Sequence, residues 1–124
     1  MAQTVVLLHT LPDGSSHFDW LIDQPDLDVE HRLLSFRCPV RPDEAASPFG
    51  AEIMPPHRAF YLDYEGPLSG KRGLVRRIAS GRTSGLREHD GCFDLTVLWS
   101  NGSISYRVAP FPDTVARVWI IPAR

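Results

Sequence analysis

The chain has 124 residues, 43% hydrophobic and 23% charged, with a formal net charge of −2. This is ordinary globular composition at a length for which one domain is the default reading, and it argues against wholesale disorder. No apolar run approaches the ~20 residues of a membrane span, residues 1–9 lack the basic start of a secretory signal, and two cysteines cannot staple a secreted mini-domain or form a Cys-rich metal site.

Thr4–Leu8 is short, apolar and β-branched, and reads as a buried strand. Leu11–Ser16 contains Pro-Asp-Gly and reads as a turn. Ser16–Ile22 alternates: Phe18, Trp20 and Ile22 on one side, His17, Asp19 and Leu21 on the other. Arg32–Phe36 is a third strand, and Arg41–Pro48 a loop with at most one helical turn. Pro55-Pro56 argues against regular structure at that point. Ala59–Tyr64 reads as a strand, Gly66–Gly73 as a loop, and Leu74–Ile78 and Arg82–Arg87 as two strands around Ser80-Gly81. Phe93–Trp99 and Ser103–Val108 flank Asn101-Gly102, the strongest hairpin signal in the chain. Val115–Ile121 is the last strand, closed by Pro122. Nine glycines and eleven prolines suit such a turn-rich chain. The expected fold is a mainly β, single-domain β-barrel of about eight short strands with little helix. Trp20, Trp99 and Trp119 are expected in its core, with both cysteines reduced and buried, as in a cytoplasmic protein.

The charge is unevenly spread. Residues 1–65 carry four basic and eleven acidic side chains, and residues 66–124 carry nine and four. Lys71–Arg87 holds six basic residues (Lys71, Arg72, Arg76, Arg77, Arg82, Arg87) and no acidic one. Twelve of the thirteen basic residues are arginine, whose planar fork suits phosphate. This segment is a candidate nucleic-acid backbone face beside an acidic half; the plain alternative is a solvated strand pair.

Two clusters carry candidate chemistry. His17 and Asp19 are two apart on a predicted strand and share a face, while His9 ends the preceding strand. A hairpin brings His9 opposite His17 or Asp19. Two imidazoles and a carboxylate then form a facial set with open positions, suited to Mn²⁺, Fe²⁺ or Zn²⁺. Without a metal, the same residues are strand-end histidines and a surface aspartate. In the second cluster His57, Tyr61 and Asp63 fall on one face of the predicted strand, where His57 and Tyr61 can donate to a phosphoryl oxygen or transfer a proton. Gly70-Lys71-Arg72-Gly73 is either a small anion-binding loop or a plain turn. His31 and His89 sit among charges and read as surface residues. No nucleophile elbow, Walker or dinucleotide-binding motif is present.

Taken together, these residues resemble the 3′-phosphoesterase domain of bacterial DNA ligase D and its short stand-alone relatives. The shared pattern is His9, then His17-Phe18-Asp19, then His57 and the segment Tyr61-Leu62-Asp63-Tyr64-Glu65-Gly66, with Val118-Trp119-Ile120-Ile121 near the end. The resemblance spans nearly the whole chain. It implies a barrel fold and a manganese-dependent enzyme that trims 3′ ends of DNA or RNA primers, removing a terminal ribonucleoside and then the 3′-phosphate left behind. His9, His17 and Asp19 would hold Mn²⁺ or another divalent ion, and His57 and Tyr61 would contact the scissile phosphate. The expected partners are DNA or RNA/DNA 3′ ends, with a DNA ligase or polymerase acting in trans, and no membrane. The chain departs from the pattern at Leu21, where the family carries an arginine, and at Phe49–Met54, which lacks a second one. Arg41 stands near a family lysine, and Lys71, Arg72, Arg76 and Arg77 are further candidates for phosphate or nucleic-acid binding. These departures keep open a weak or inactive barrel that binds nucleic acid or a ligase or polymerase partner. A non-haem iron oxygenase shares the ligand order but gives the tyrosine segment no role.

Overall fold

The period-2 pattern of the first two predicted strands becomes a hairpin in the computed structural model, which describes residues 2–124. Strand β1 (Ala2–Thr10) pairs antiparallel with β2 (Ser16–Asp23), and the turn between them is closed by the Leu11 N–H donating to the Ser15 carbonyl. β3 (Leu33–Cys38), β4 (Phe49–His57) and, from the far end of the chain, β10 (Arg117–Ala123) continue the sheet. β9 (Gly102–Pro110) and β8 (Cys92–Trp99) follow, and β6 (Leu74–Thr83) pairs with both β8 and β1. The protein is therefore mainly β, a closed eight-stranded antiparallel barrel. Two short strands, β5 (Gly66–Pro67) and β7 (Arg87–His89), add to β6 and β8. Among the described residues no helix is long and apolar enough to cross a membrane.

β6 closes the barrel at Gly81, which faces Thr4 on one side and Trp99 on the other. A Cβ there would lie 2.8 Å from the Leu98 carbonyl oxygen, so glycine lets three strands approach. Predicted as two strands broken at Ser80-Gly81, this stretch is one strand that changes partners there. Its register slips against β1 between Val6 and Leu7, a bulge that places Arg76 and Arg77 opposite Leu8 and Leu7.

Alternation sorts the apolar residues into two cores. Val6, Trp20, Ile22, Phe36, Val97, Trp99, Ile104, Tyr106, Val118 and Ile120 fill the barrel. Trp20 lies 4.7 Å from Tyr106, 6.0 Å from Phe36 and 6.3 Å from Trp99, ring centre to ring centre. Its indole N–H donates to Thr4 Oγ1, whose hydroxyl donates to the Leu21 carbonyl. Trp99 donates to the Tyr106 hydroxyl, which donates to the Pro42 carbonyl, so the buried polar atoms of both rings are satisfied. Trp119 is an exception to the expectation for tryptophans: it is 44% exposed and stacks on Phe111 outside the barrel. Cys38 is buried as expected, but Cys92 is half-buried; both are free thiols.

The second core lies on the outer face of the sheet. Val5 and Leu7 of β1, Leu21 of β2, Leu33 of β3 and Val75 of β6 are covered by Leu62, Tyr61, Tyr64 and Leu68. The covering segment contains two short 3-10 turns, Ala59–Leu62 and Ser69–Lys71. The expected strand over Ala59–Tyr64 is thus a turn. Both edges of β1 are already taken by β2 and β6, so the segment has no edge to join and crosses the face instead, anchored by Leu62. Pro55 and Pro56 do lie within a strand, against expectation. They fall beyond the β10 pairing and opposite a register shift in β3, where their missing N–H groups leave no ladder bond unmade.

Candidate metal centre

The rows of the outer core run directly into polar residues. β1 continues Val5, Leu7, His9; β2 runs Leu21, Asp19, His17; β3 runs Leu33, Ser35, Arg37. In the β1–β2 register His9 stands opposite His17, and in β2–β3 Asp19 stands opposite Arg37. The hairpin predicted from the sequence therefore forms, and His9, His17 and Asp19 each offer one ligand atom, all within 4.8 Å of one another. The two imidazole rings meet edge to face at 4.7 Å.

The hydrogen bonds assign the protons. His9 Nε2 lies 2.8 Å from the Arg72 carbonyl oxygen, an acceptor, so Nε2 carries a proton and donates it there. In the neutral ring Nδ1 then presents a lone pair to Asp19 Oδ2 at 3.1 Å. Two acceptors facing one another make this a place that a proton or a metal ion would fill. On the other carboxylate oxygen, His17 Nε2 stands 3.0 Å from Asp19 Oδ1 and is buried without a hydrogen-bond partner. Burial pushes the His17 imidazole below its ordinary value; Asp19 pulls it back up, and Arg37 and His9 push it down. The net direction favours the neutral ring with a free lone pair. Two nitrogen donors and one carboxylate, with His9 oriented by a backbone carbonyl, form a mixed nitrogen and oxygen set that fits a first-row divalent ion such as Mn²⁺, Fe²⁺ or Zn²⁺.

The loop that supplies the Arg72 carbonyl is itself fixed. Leu68 N–H donates to the Gly73 carbonyl, and the Arg72 guanidinium donates to the Ser69 carbonyl and hydroxyl. Gly73 has φ +94°, and a Cβ there would stand 2.0 Å from the Thr10 carbonyl oxygen, so the loop sits directly on the end of β1. Gly73→Ala is expected to lift the loop off His9 and weaken Mn²⁺ binding about 10- to 100-fold, the range for lost outer support of a ligand. Gly85→Ala serves as control: its φ is +93° but nothing lies within 4 Å. Calorimetric Mn²⁺ titration of the two variants checks this, and equal weakening in both would contradict the role of the loop.

The centre opens into a groove of about 700 Å³ between the outer sheet face and the covering segment. His57 and Tyr61 form its far wall, their rings edge to face at 5.7 Å. His57 ends β4 and Tyr61 sits in the first 3-10 turn, so they meet although they do not share a strand face. Asp63, expected beside them, points out to solvent, 3.9 Å from Arg77. The His57 Nδ1–H donates to the Pro55 carbonyl at 3.0 Å, which leaves Nε2 as the free nitrogen. Lys71 and Arg72 line the groove, as do Arg37, Arg58 and His31, against Asp19 as the one carboxylate in its wall.

Arg41, Arg76 and Arg77 do not line the groove. Arg41 is held by Asp43 at 2.7 Å in the loop after β3. Arg76 neighbours Val75, an outer-core residue, and so points to the opposite face of β6. Arg77 donates to the Leu62 carbonyl at 3.0 Å, fastening the covering segment. Arg37 was not singled out in the sequence, although the alternation Leu33, Ser35, Arg37 places it on the site face once β3 pairs with β2. Its Nε is buried with no acceptor. Arg58 and His31 reach the groove because the covering segment crosses the sheet, which local pattern does not foretell.

In comparisons with known proteins, no family model and no curated protein matches the sequence.

Proposed function

We propose that the protein is a metal-dependent phosphoesterase acting on 3′ ends of nucleic acid, removing a terminal ribonucleoside, a 3′-phosphate, or both. The observation that carries this reading is the pairing of a two-histidine, one-carboxylate centre with a groove walled by Arg37, Arg58, Lys71 and Arg72. A cationic groove selects a polyanion. His9, His17 and Asp19 would hold the ion, with Mn²⁺ the expected one. When bound, a divalent ion there polarises a phosphoryl oxygen and lowers the pKa of a bound water.

The remaining steps belong to the chain's own residues. Arg37 stands beside Asp19 with an unsatisfied buried N–H and would hold a non-bridging phosphoryl oxygen. It would thereby supply, from the neighbouring strand, the charge that Leu21 does not; Leu21 is fully buried in the outer core. The Tyr61 hydroxyl would donate to a second oxygen. As water attacks phosphorus the bond to the leaving oxygen breaks, the 5′ oxygen of the terminal ribonucleoside when a 3′-phosphate is left behind and the 3′ oxygen when that phosphate is removed, and protonated His57 would deliver its Nε2 proton to that oxygen. The reading also implies a cytoplasmic setting and a ligase or polymerase that uses the cleaned 3′-hydroxyl, to which the free thiols of Cys38 and Cys92 are suited.

The test is turnover of a labelled primer–template ending in a 3′-phosphate or 3′-ribonucleotide, with Mn²⁺. Phosphate or nucleoside release that is absent in His17→Ala supports the reading. Retention of DNA with no release by the wild-type protein would replace it with the binding-only barrel. Arg37→Ala adds a separable expectation. Loss of one charge-assisted hydrogen bond costs roughly 1.5–3 kcal/mol, or about 10- to 150-fold in rate. Mn²⁺ affinity should hold or tighten, because a neighbouring cation is gone. A parallel loss of metal and rate would contradict the role given to Arg37.

A further inference from the structure

We infer that the exposed ring of Phe60, with the Arg58 guanidinium over it, is the platform on which a nucleobase stacks next to the phosphate held in the groove. This rests on the nucleic-acid reading above. Phe60 is 53% exposed and belongs to neither hydrophobic core. It nevertheless occupies a fixed position. The turn that carries it is closed by the Tyr61 N–H donating to the Arg58 carbonyl and the Asp63 N–H donating to the Phe60 carbonyl, and is pinned by buried Leu62.

Its surroundings are those of a stacking site. The Phe60 ring lies 5.1 Å from Tyr61 and 4.9 Å from Tyr64, and Arg58 Cζ lies 5.6 Å from its centre and 5.7 Å from that of Tyr61. Arg58 and Tyr61 line the same groove as His9 and Asp19, and Phe60, which does not itself line it, touches both Arg58 and Tyr61. The acidic neighbour of Arg58 is Glu30, at 4.0 Å with both side chains exposed, so the guanidinium is only loosely engaged. An exposed aromatic ring with a loosely held guanidinium over its face, which a base can displace or stack upon, at the edge of a groove with four cationic side chains, matches a ligand with a flat π-system next to a phosphate. Bases of every kind offer that face, so stacking here detects the presence of a base and not its identity. A pre-positioned ring loses little freedom on binding, which suits a platform.

The experiment is fluorescence-anisotropy titration of single-stranded oligonucleotides in EDTA, where metal-dependent turnover cannot intervene. One oligonucleotide ends in an ordinary nucleotide 3′-phosphate; the other has an abasic residue at that position. Phe60→Ala should bind the ordinary end about tenfold more weakly, and Phe60→Trp should restore the affinity. On the abasic end, wild type and Phe60→Ala should bind alike. Arg58→Ala should flatten the dependence of log K on log salt by somewhat under one unit, whereas Phe60→Ala should leave that slope unchanged. Equal binding of the ordinary end by wild type and Phe60→Ala, or an equal loss on both ends, overturns the platform while leaving the phosphoesterase reading intact. Failure of the wild type to bind either oligonucleotide overturns both.

Discussion

Asp19→Asn is expected to lose Mn²⁺ binding by more than 100-fold and turnover with it, without loss of the fold. The carboxylate is the one anion at the centre and faces nitrogen atoms of both histidines, at 3.1 and 3.0 Å. Losing outer support of a ligand costs 10- to 100-fold in affinity, and losing the charged ligand itself costs more. The fold survives because the new amide N–H can donate to a histidine lone pair, which resolves in another way the confrontation of two acceptors. Thermal melts with and without Mn²⁺ separate these effects. At 100 times its Kd a bound ion stabilises the wild type by about 2.7 kcal/mol, on the order of 10 °C in Tm for a domain of this size. Asp19→Asn should melt near the wild-type temperature in EDTA and show no Mn²⁺-induced rise. A full metal-induced rise in the variant would place the ion elsewhere.

Trp20→Ala is the other large effect, and it acts on stability. Trp20 is fully buried among Phe36, Trp99 and Tyr106, and its N–H is satisfied by Thr4. Truncating a buried aromatic costs about 3–5 kcal/mol, a large part of the roughly 5–15 kcal/mol that holds a domain together. With a slope of about 2 kcal/mol per molar urea, the midpoint should fall by about 2 M. The loss would also reach the site, because Trp20 and Asp19 are adjacent on β2 and one strand carries both the barrel core and a residue of the His9–His17–Asp19 cluster. Trp20→Phe should recover most of the midpoint. A shift under 0.5 M in Trp20→Ala, on the same urea scale, would mean that the barrel core does not depend on this ring.

Local chemistry made the hairpins legible. Asn101-Gly102 places the β8–β9 turn, and the alternation of β2 separates Trp20 from Asp19 correctly. The clustering of His9, His17 and Asp19 followed from the same rule, since residues two apart share a face and a tight turn returns His9 opposite His17. What local pattern did not carry was the path of 53–73. Proline argues against a strand only where a partner needs its N–H, and at Pro55-Pro56 none does. Weak alternation over Ala59–Tyr64 suggests a strand, but a closed barrel leaves no edge for it. The place of Arg58 in the groove wall depends on that crossing, and so do the positions of Lys71 and Arg72. The choice among arginines is likewise non-local: Arg41 and Arg77 are engaged by Asp43 and the Leu62 carbonyl, contacts that composition cannot show.

The most direct measurement is pulsed electron paramagnetic resonance of the protein loaded with one equivalent of Mn²⁺. Two inequivalent imidazole nitrogens should couple to the electron spins of the ion, one from His9 and one from His17. His17→Ala should retain a single coupling, and Asp19→Asn should leave the ion free in solution. A wild-type spectrum with no nitrogen coupling, or one unchanged by His17→Ala, would contradict the assignment of this centre and the chemistry built on it.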